Sequence, residues 1–184
     1  MKVVILDRDG VINEDSDDYI KSPDEWIPIP GSLEAISRLN RAGYRVFILT
    51  NQSGVGRGLF DIETLHAIHQ KLITELHKLG GRVDAILYCP HAPDAGCSCR
   101  KPEPGLFKEV EKRIQQDLIG TFAIGDSYRD LQAAETAKAT PILVLTGKGN
   151  KTYMGYKEQL KGIPCYENLS AAVDALLETA VNET

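Results

Sequence analysis

The chain has 184 residues, of which 42% are hydrophobic and 26% charged, and its formal net charge at pH 7 is −5. This length suits one domain with its own core, so we predict a single domain over residues 1–184. The acidic balance argues against nucleic-acid and anionic-membrane partners, which select an excess of lysine and arginine. Because we find no apolar stretch of about 18 residues and the sequence begins with strand-like MKVVIL, we expect no membrane span, no signal peptide and a cytoplasmic location.

Short apolar runs alternate with segments of helical periodicity along the chain. The predicted strands are residues 3–6, 44–49, 85–88, 121–125 and 142–145. The predicted helices lie around residues 33–39, 62–79, 106–114, 131–134 and 169–181. Apolar strands separated by helices indicate an α/β fold, with a Rossmann-like, mostly parallel sheet flanked by helices. Ligands of such sheets bind beyond the carboxyl ends of the strands.

Polar residues with a common chemistry follow several of these strands. They are Asp7 and Asp9 after the first strand, Thr50 and Asn51 after the second, Lys101 between the third and fourth, and Asp126 after the fourth. Crowded carboxylates repel each other, and a hard divalent cation such as Mg²⁺ is the usual remedy when phosphate is present. A lysine supplies the matching positive charge to a phosphoryl oxygen. The pattern therefore predicts a site for phosphate chemistry.

The order of these motifs resembles the haloacid-dehalogenase-like phosphatases over nearly the whole chain. The matching residues are Asp7-Arg8-Asp9-Gly10, Thr50-Asn51, Lys101, and Gly125-Asp126 followed by Asp130. The resemblance implies that Asp7 attacks phosphorus and becomes an aspartyl phosphate. It also implies that Asp9 protonates the leaving oxygen and then activates water.

The same resemblance implies a ligand set for Mg²⁺ and for the phosphoryl group. Mg²⁺ would be held by the Asp7 carboxylate, the Asp9 backbone carbonyl and Asp126, while Thr50 and Lys101 would bind the phosphoryl oxygens.

Each motif taken alone also has an ordinary structural interpretation. A lone D-x-D is usually a turn, Thr50-Asn51 could cap a helix, and Lys101 could be a surface charge. Asp126 or Ser127 could be the N-cap of the following helix. Related enzymes often carry a second lysine where this chain has Ser127, so a substrate contact at that position stays open.

A second predicted metal site lies between the third and fourth strands, where three thiols and one imidazole fall within eleven residues, at Cys89, His91, Cys97 and Cys99. This set matches a closed, structural Cys₃His zinc site. The alternative is a loop with unrelated thiols or a disulfide, but three clustered cysteines cannot all pair. Zinc in this loop would fix Arg100 and Lys101 over the phosphate site.

The spacing of the motifs predicts an open site. About twenty residues separate Asp9 from the first helix and about ten separate Thr50 from the second, which is too short for a cap domain. We therefore predict a capless haloacid-dehalogenase-like fold with a zinc-binding loop. The acidic segment 14–18 is either a solvated face or a set of acceptors for sugar hydroxyls.

Within the capless branch, the zinc loop and T-N-Q-S-G-V-G-R-G at 50–58 resemble the members that remove the 7-phosphate of D-glycero-D-manno-heptose 1,7-bisphosphate, on the route to ADP- or GDP-heptose of lipopolysaccharide. The rival resemblance is to histidinol-phosphate phosphatases, which share the zinc loop but differ after T-N-Q. A bisphosphate keeps one phosphate uncleaved, and Arg57 or Arg100 could bind it as a fork. We expect a monomer that acts on a small-molecule sugar bisphosphate, whose anomer the sequence leaves open. The predicted substrate contacts are Asp15, Tyr19, Asn51, Gln52, Ser53, Arg57 and Arg100.

A different class of protein must also be considered, because zinc loops occur in nucleic-acid-binding and protein-docking modules. Such a module predicts a basic or aromatic stripe, whereas this chain has 21 Lys and Arg, 26 Asp and Glu, and one Trp. It also leaves the four phosphatase motifs unexplained.

Other titratable residues receive no role from the sequence. His66, His69 and His77 lie on one predicted helix without an acidic or thiol partner at ligand spacing, so we predict surface histidines. Cys165 is predicted to be a packing thiol.

Overall fold

A computed structural model describes residues 1–182, in which the strands form one six-stranded parallel sheet of order β3-β2-β1-β4-β5-β6. The strands are β1 (Val3–Leu6), β2 (Arg45–Asn51), β3 (Ala85–Cys89), β4 (Phe122–Gly125), β5 (Thr140–Val144) and β6 (Cys165–Tyr166). The helices are α1 (Ser32–Arg41), α2 (Ser53–Gly56), α3 (Ile62–Lys78), α4 (Gly105–Ile114), α5 (Tyr128–Thr136), α6 (Gly149–Gly155) and α7 (Leu169–Asn182). The predicted α/β fold is confirmed.

Strand β1 lies at the centre of the sheet, between β2 and β4. Its side chains alternate, so that Val4 and Leu6 pack in the core cluster that contains residues of α1, α3 and α7. Val3 and Ile5 pack on the opposite face with residues of α4 and α5. Burial on both faces explains why β1 is apolar at every position.

The structure adds three short elements that the sequence did not predict, namely α2, α6 and β6. Helix α2 has four residues and β6 has two, which is too short to establish a periodicity. Strand β5 also begins two residues earlier than predicted, because the Thr140 amide already donates to the Thr121 carbonyl at 2.8 Å. Tertiary pairing, more than local pattern, decides such boundaries.

The segments that follow β1 and β2 build one side of the functional cleft. Residues 7–31 form turns and isolated bridges, and residues 52–61 contain only α2 and turns. Neither segment forms a separate cap, as predicted. Among residues 1–182, no helix combines the length and the apolar character needed to cross a membrane.

Candidate active site

The carboxyl ends of β1, β2 and β4 open into a cleft of about 320 Å³. Every residue predicted to act on the phosphoryl group or to contact substrate lines this cleft. The predicted set consists of Asp7, Asp9, Thr50, Lys101 and Asp126, with Asp15, Tyr19, Asn51, Gln52, Ser53, Arg57 and Arg100 around them. The parallel sheet thus brings together residues that are up to 119 positions apart in the chain.

Lys101 lies buried between two carboxylates at the base of the cleft. Its Nζ donates to Asp7 Oδ1 at 2.8 Å and to the Leu49 carbonyl at 2.8 Å, and lies 2.6 Å from Asp130 Oδ1. Burial raises the pKa of Asp7 to about 7, although the Lys101 charge opposes the increase. The lysine therefore fixes one oxygen of Asp7 and partly compensates its burial.

Asp9 has more hydrogen bonds than the other carboxylates of the cleft. Arg8 Nη2 donates to Oδ1 at 2.9 Å and to Oδ2 at 3.1 Å, Asn13 Nδ2 donates to Oδ1 at 2.9 Å, and Gln52 Nε2 donates to Oδ2 at 2.8 Å. Burial alone would raise the pKa of Asp9, but the Arg8 charge and these hydrogen bonds lower it overall. The carboxylate is thus oriented, and its surroundings in the free chain favour the ionised form.

Asp126 follows β4 and is enclosed by two glycines. Gly10 has φ +82°, and a Cβ built there would lie 2.0 Å from Asp126 Oδ2. Gly147 has φ +54°, and its Cβ would lie 2.3 Å from the same oxygen. The Lys148 amide donates to that oxygen at 2.7 Å. Only residues without side chains leave room for the carboxylate, which explains the glycine behind the D-x-D motif.

The carboxylates fit a hard divalent cation. Asp7, Asp126 and Asp130 each offer an oxygen within 4.8 Å of the others. Burial, and then the charges of Asp130 and Asp7, raise the pKa of Asp126 to about 8. Within residues 1–182, Asp7 and Asp126 each keep one oxygen without a hydrogen bond. Buried carboxylates that repel each other are a suitable donor set for Mg²⁺.

Asp130 has a structural role, because both of its carboxylate oxygens already contact other residues of the protein. Oδ1 contacts Lys101, while Oδ2 accepts from the Ser127 amide at 3.0 Å and from Ser127 Oγ at 2.6 Å. Ser127 is the N-cap of α5, and the two residues form a capping box. The N-cap interpretation that the sequence left open holds for Ser127.

Thr50 and Asn51 end β2 in different environments. Thr50 is buried, and its Oγ1 accepts from Gln52 Nε2 at 2.8 Å. The Asn51 side chain makes two hydrogen bonds of 3.0 Å with the Lys101 backbone. Its Nδ2 donates to the Lys101 carbonyl, and its Oδ1 accepts from the Lys101 N–H. Asn51 therefore connects β2 directly to the lysine segment.

The cleft also contains several positively charged side chains. Arg57, Arg100, Arg129 and Lys148 all line it, and Lys148 Nζ lies 2.9 Å from Asp15 Oδ2. Burial, and then the charge of Arg129, lower the pKa of Arg100, whose buried Nη1 has no hydrogen-bond partner among the described residues. Arg100 and Arg129 are neighbouring guanidinium groups without a carboxylate partner in the described chain, and they make this part of the cleft suitable for an anion.

The sequence did not single out Arg129, and it assigned no role to Lys148. Arg129 follows Asp126 by three positions, in the first turn of α5, and that proximity was the available signal. Lys148 begins a short helix after β5, and only the tertiary structure places it opposite Asp15.

The predicted zinc ligands come together beside the cleft. Cys89 Sγ lies 3.6 Å from Cys97 Sγ and 3.5 Å from His91 Nδ1, which lies 3.3 Å from Cys99 Sγ. A tetrahedral zinc with bonds of about 2.3 Å to sulfur and about 2.0 Å to nitrogen separates two sulfurs by about 3.8 Å and a sulfur from a nitrogen by about 3.5 Å. The four side chains therefore fit a zinc ion.

The zinc loop contacts the segment after β2 through the backbone. The Gly56 amide donates to the Pro90 carbonyl at 2.8 Å, and a Cβ on Gly56 would lie 2.6 Å from that oxygen. The loop thus links the site around Thr50 to the segment that carries Arg100 and Lys101.

Comparison with known proteins gives likeness over nearly the whole chain. Residues 98–172 match the family model described as HAD-hydrolase-like. A D-glycero-β-D-manno-heptose-1,7-bisphosphate 7-phosphatase of Bordetella bronchiseptica is 53% identical, over 98% of this chain and 100% of that protein. One of the same name from Pseudomonas aeruginosa is 50% identical, over 96% of this chain and 98% of that protein.

A solved structure extends the likeness to three dimensions. The crystal structure of D,D-heptose 1,7-bisphosphate phosphatase from B. bronchiseptica, complexed with magnesium and phosphate, superposes with a TM-score of 0.94. It is 53% identical, and the superposition covers 97% of this chain and 99% of that chain.

Proposed function

The chain belongs to the haloacid-dehalogenase-like phosphatases, and on this premise we propose that it is a Mg²⁺-dependent phosphatase that removes the 7-phosphate of D-glycero-D-manno-heptose 1,7-bisphosphate. The observation that carries the proposal is the cleft in which Asp7, Asp9, Lys101 and Asp126 converge, and which Arg57, Arg100 and Arg129 also line. The names of the full-length relatives support the substrate and its β anomer.

In the proposed first step, the free oxygen of Asp7 attacks the phosphorus of the 7-phosphate. Lys101 holds the other Asp7 oxygen at 2.8 Å, so the nucleophile is already oriented. The bond between phosphorus and the sugar oxygen breaks, and Asp9 gives its proton to that oxygen. The products of this step are heptose 1-phosphate and an aspartyl phosphate on Asp7.

In the proposed second step, a water molecule attacks the aspartyl phosphate. Asp9, now ionised, takes a proton from the water, and the bond between phosphorus and Asp7 breaks. Inorganic phosphate leaves, and both aspartates return to their initial states. The Arg8 charge lowers the pKa of Asp9, which favours the ionised form that this step uses. In the first step, the negative charge of a bound phosphoryl group would oppose this effect and favour the protonated form of Asp9.

Asp7, Asp126 and the Asp9 backbone carbonyl would hold Mg²⁺, which when bound neutralises the charge that develops on the phosphoryl oxygens. The raised pKa values of Asp7 and Asp126 support this donor set. Cys89, His91, Cys97 and Cys99 would hold a structural zinc ion that fixes the Arg100-Lys101 segment.

The uncleaved 1-phosphate is the proposed source of selectivity. An open cleft cannot select its ligand by enclosure, so it must use polar groups that a wrong substrate leaves unpaired. Arg57 and Arg100 are available for this purpose on the rim and wall of the cleft. The product would enter nucleotide-activated heptose synthesis, as ADP- or GDP-heptose for lipopolysaccharide.

The test is phosphate release from a panel of phosphate monoesters in the presence of Mg²⁺. We expect kcat/KM for heptose 1,7-bisphosphate to exceed that for histidinol phosphate at least about 100-fold, or roughly 2.7 kcal/mol of differential transition-state binding. Equal or better turnover of histidinol phosphate would overturn the heptose assignment. No turnover of any sugar phosphate would overturn the phosphatase proposal itself.

A further inference from the structure

Arg8, the residue between the two catalytic aspartates, is a fully buried cation. Its side chain is 1% exposed, whereas most arginines of globular proteins lie at the surface. Nε and Nη2 face Asp9, at 3.2 Å and 2.9 Å from Oδ1. This pairing leaves Nη1 pointing away from the cleft, and a buried N–H group needs an acceptor.

His69 of α3 supplies that acceptor. Its side chain is 6% exposed, and its Nε2 lies 3.1 Å from Arg8 Nη1. Because a guanidinium group only donates, Nε2 must accept, and the proton of the neutral ring is on Nδ1. Burial, and then the Arg8 charge, lower the pKa of His69 to about 3, which keeps the ring neutral. The prediction of a surface histidine is therefore wrong for His69.

Three side chains thus form one buried series, in which His69 contacts Arg8 and Arg8 contacts Asp9. We propose that His69 is a positioning residue for Asp9, acting through Arg8, and so promotes protonation of the leaving oxygen. The proposal rests on the proposed acid role of Asp9. Without an acceptor for Nη1, the guanidinium would turn to find another partner, and its two-point contact with the Asp9 carboxylate would be lost.

The competing explanation is that His69 and Arg8 only stabilise the core. The two explanations predict a different dependence of kcat/KM on the leaving group. A sugar alkoxide must be protonated as it leaves, whereas p-nitrophenolate leaves without a proton. Because kcat/KM covers only the steps up to departure of the leaving group, the later action of Asp9 as a base does not affect the comparison.

The experiment measures kcat/KM for two substrates with the full chain and Mg²⁺. One is the sugar phosphate that the wild-type chain hydrolyses best, and the other is p-nitrophenyl phosphate. The variants are His69→Leu, which removes the acceptor, and His69→Gln, whose amide oxygen can replace it. Asp9→Asn shows the leaving-group dependence expected for loss of the acid. His77→Leu makes the same change at an exposed position of the same helix and is the control.

For His69→Leu we expect kcat/KM to fall about 10-fold with the sugar phosphate and less than about 2-fold with p-nitrophenyl phosphate. The roughly 10-fold decrease is smaller than the factor of about 10² to 10⁴ that a general acid typically contributes, because Asp9 itself is still present. His69→Gln should recover most of the loss, and His77→Leu should leave both values unchanged. An equal fall for both substrates, no fall for either, or no recovery with His69→Gln would overturn the proposal.

A second variant keeps the test informative if His69→Leu does not fold. Arg8→Lys retains the positive charge, but one ammonium group cannot span His69 and Asp9 as the guanidinium does. We expect the same selective fall with the sugar phosphate, and a uniform fall would contradict the positioning role. If Asp9→Asn itself showed no dependence on the leaving group, the acid assignment in the proposed function would be the part that fails.

Discussion

Lys101 Nζ lies 2.8 Å from Asp7 Oδ1, at the base of a cleft where the lysine is only 3% exposed. The same nitrogen contacts Asp130 and the Leu49 carbonyl, so all three of its protons are used. Asp7 consequently presents one defined oxygen to the cleft. One short contact both orients the proposed nucleophile and compensates its burial.

Asp7→Asn should abolish turnover while the chain stays folded. The amide oxygen can still accept from Lys101, but an amide does not attack phosphorus or balance the charge of Mg²⁺. The measurements are phosphate release and the thermal unfolding midpoint. Asp24→Asn makes the same change at an exposed position outside the cleft and should retain activity. Substantial turnover by Asp7→Asn would refute the nucleophile assignment.

Lys101→Met should destabilise the chain as well as inactivate it. Removal of one partner leaves Asp7 and Asp130 buried without their cation, a change that typically costs about 3–5 kcal/mol. The free energy of unfolding from urea titration at neutral pH measures the effect. Lys112→Met, an exposed lysine of α4, should change it by less than about 0.5 kcal/mol. If both variants unfolded at the same urea concentration, the proposed ion-pair contribution would be absent.

Asp7 and Asp126 should make the metal-free chain less stable as the pH rises from about 4 to about 8, while His69, whose pKa is lowered to about 3, has the opposite effect below about pH 6.5. The pKa of Asp7 is raised to about 7 and that of Asp126 to about 8 in the folded state, so the folded chain binds protons that the unfolded chain releases. The contribution of these two groups to the free energy of unfolding is therefore fully present below about pH 4, and it is lost as the pH rises through their folded pKa values. Mg²⁺ binds the ionised forms, so its stabilising effect should increase over the same range.

Thermal unfolding midpoints across this pH range, with and without Mg²⁺, provide the measurement. Asp126→Asn removes one of the two groups, and we expect a weaker pH dependence and a smaller effect of Mg²⁺. If the metal-free midpoints of the wild-type chain and of Asp126→Asn changed in parallel between about pH 5 and about pH 8, the raised pKa of Asp126 would be contradicted.

Purified protein should contain about one equivalent of zinc per chain by elemental analysis. Cys97→Ser should lose the zinc and lower the unfolding midpoint, because residues 90–96 of the loop belong to none of the apolar core clusters of the described chain. Activity should fall through displacement of Arg100 and Lys101. Cys165→Ser, which removes the cysteine outside the cluster, should keep both zinc and activity. Fully active protein without zinc would contradict the structural-metal assignment.

Arg57→Gln should reduce selectivity more than it reduces catalysis. Arg57 is an exposed cation on the rim of the cleft, where a second phosphate can reach it. Loss of one charge-assisted contact, worth about 1.5–3 kcal/mol, should lower kcat/KM for the bisphosphate at least about 10-fold. Simple monophosphates should be hardly affected, and Arg82→Gln, outside the cleft, should change neither. A parallel decrease for both substrate types would mean that Arg57 does not read the second phosphate.

Much of the site could be predicted from the sequence because its chemistry is concentrated in short motifs. The β1 run ends on Asp7 and Asp9, and the rule that parallel strands present their carboxyl ends together was sufficient to place Thr50 and Asp126 beside them. The cluster of Cys89, His91, Cys97 and Cys99 could also be predicted from the sequence, because its four residues are close neighbours in the chain.

Other features depend on contacts between distant segments, which local pattern does not encode. His69 meets Arg8 across 61 positions, and Lys148 pairs with Asp15 across the mouth of the cleft. The helix sequence does not distinguish His69 from the other histidines, and only the fold buries it beside Arg8 as an acceptor. The sequence was sufficient to select groups that line one cleft and one Cys/His cluster, because short motifs specify them. How those groups are held and charged depends on the fold, because burial and hydrogen bonding act between residues that are distant in the chain.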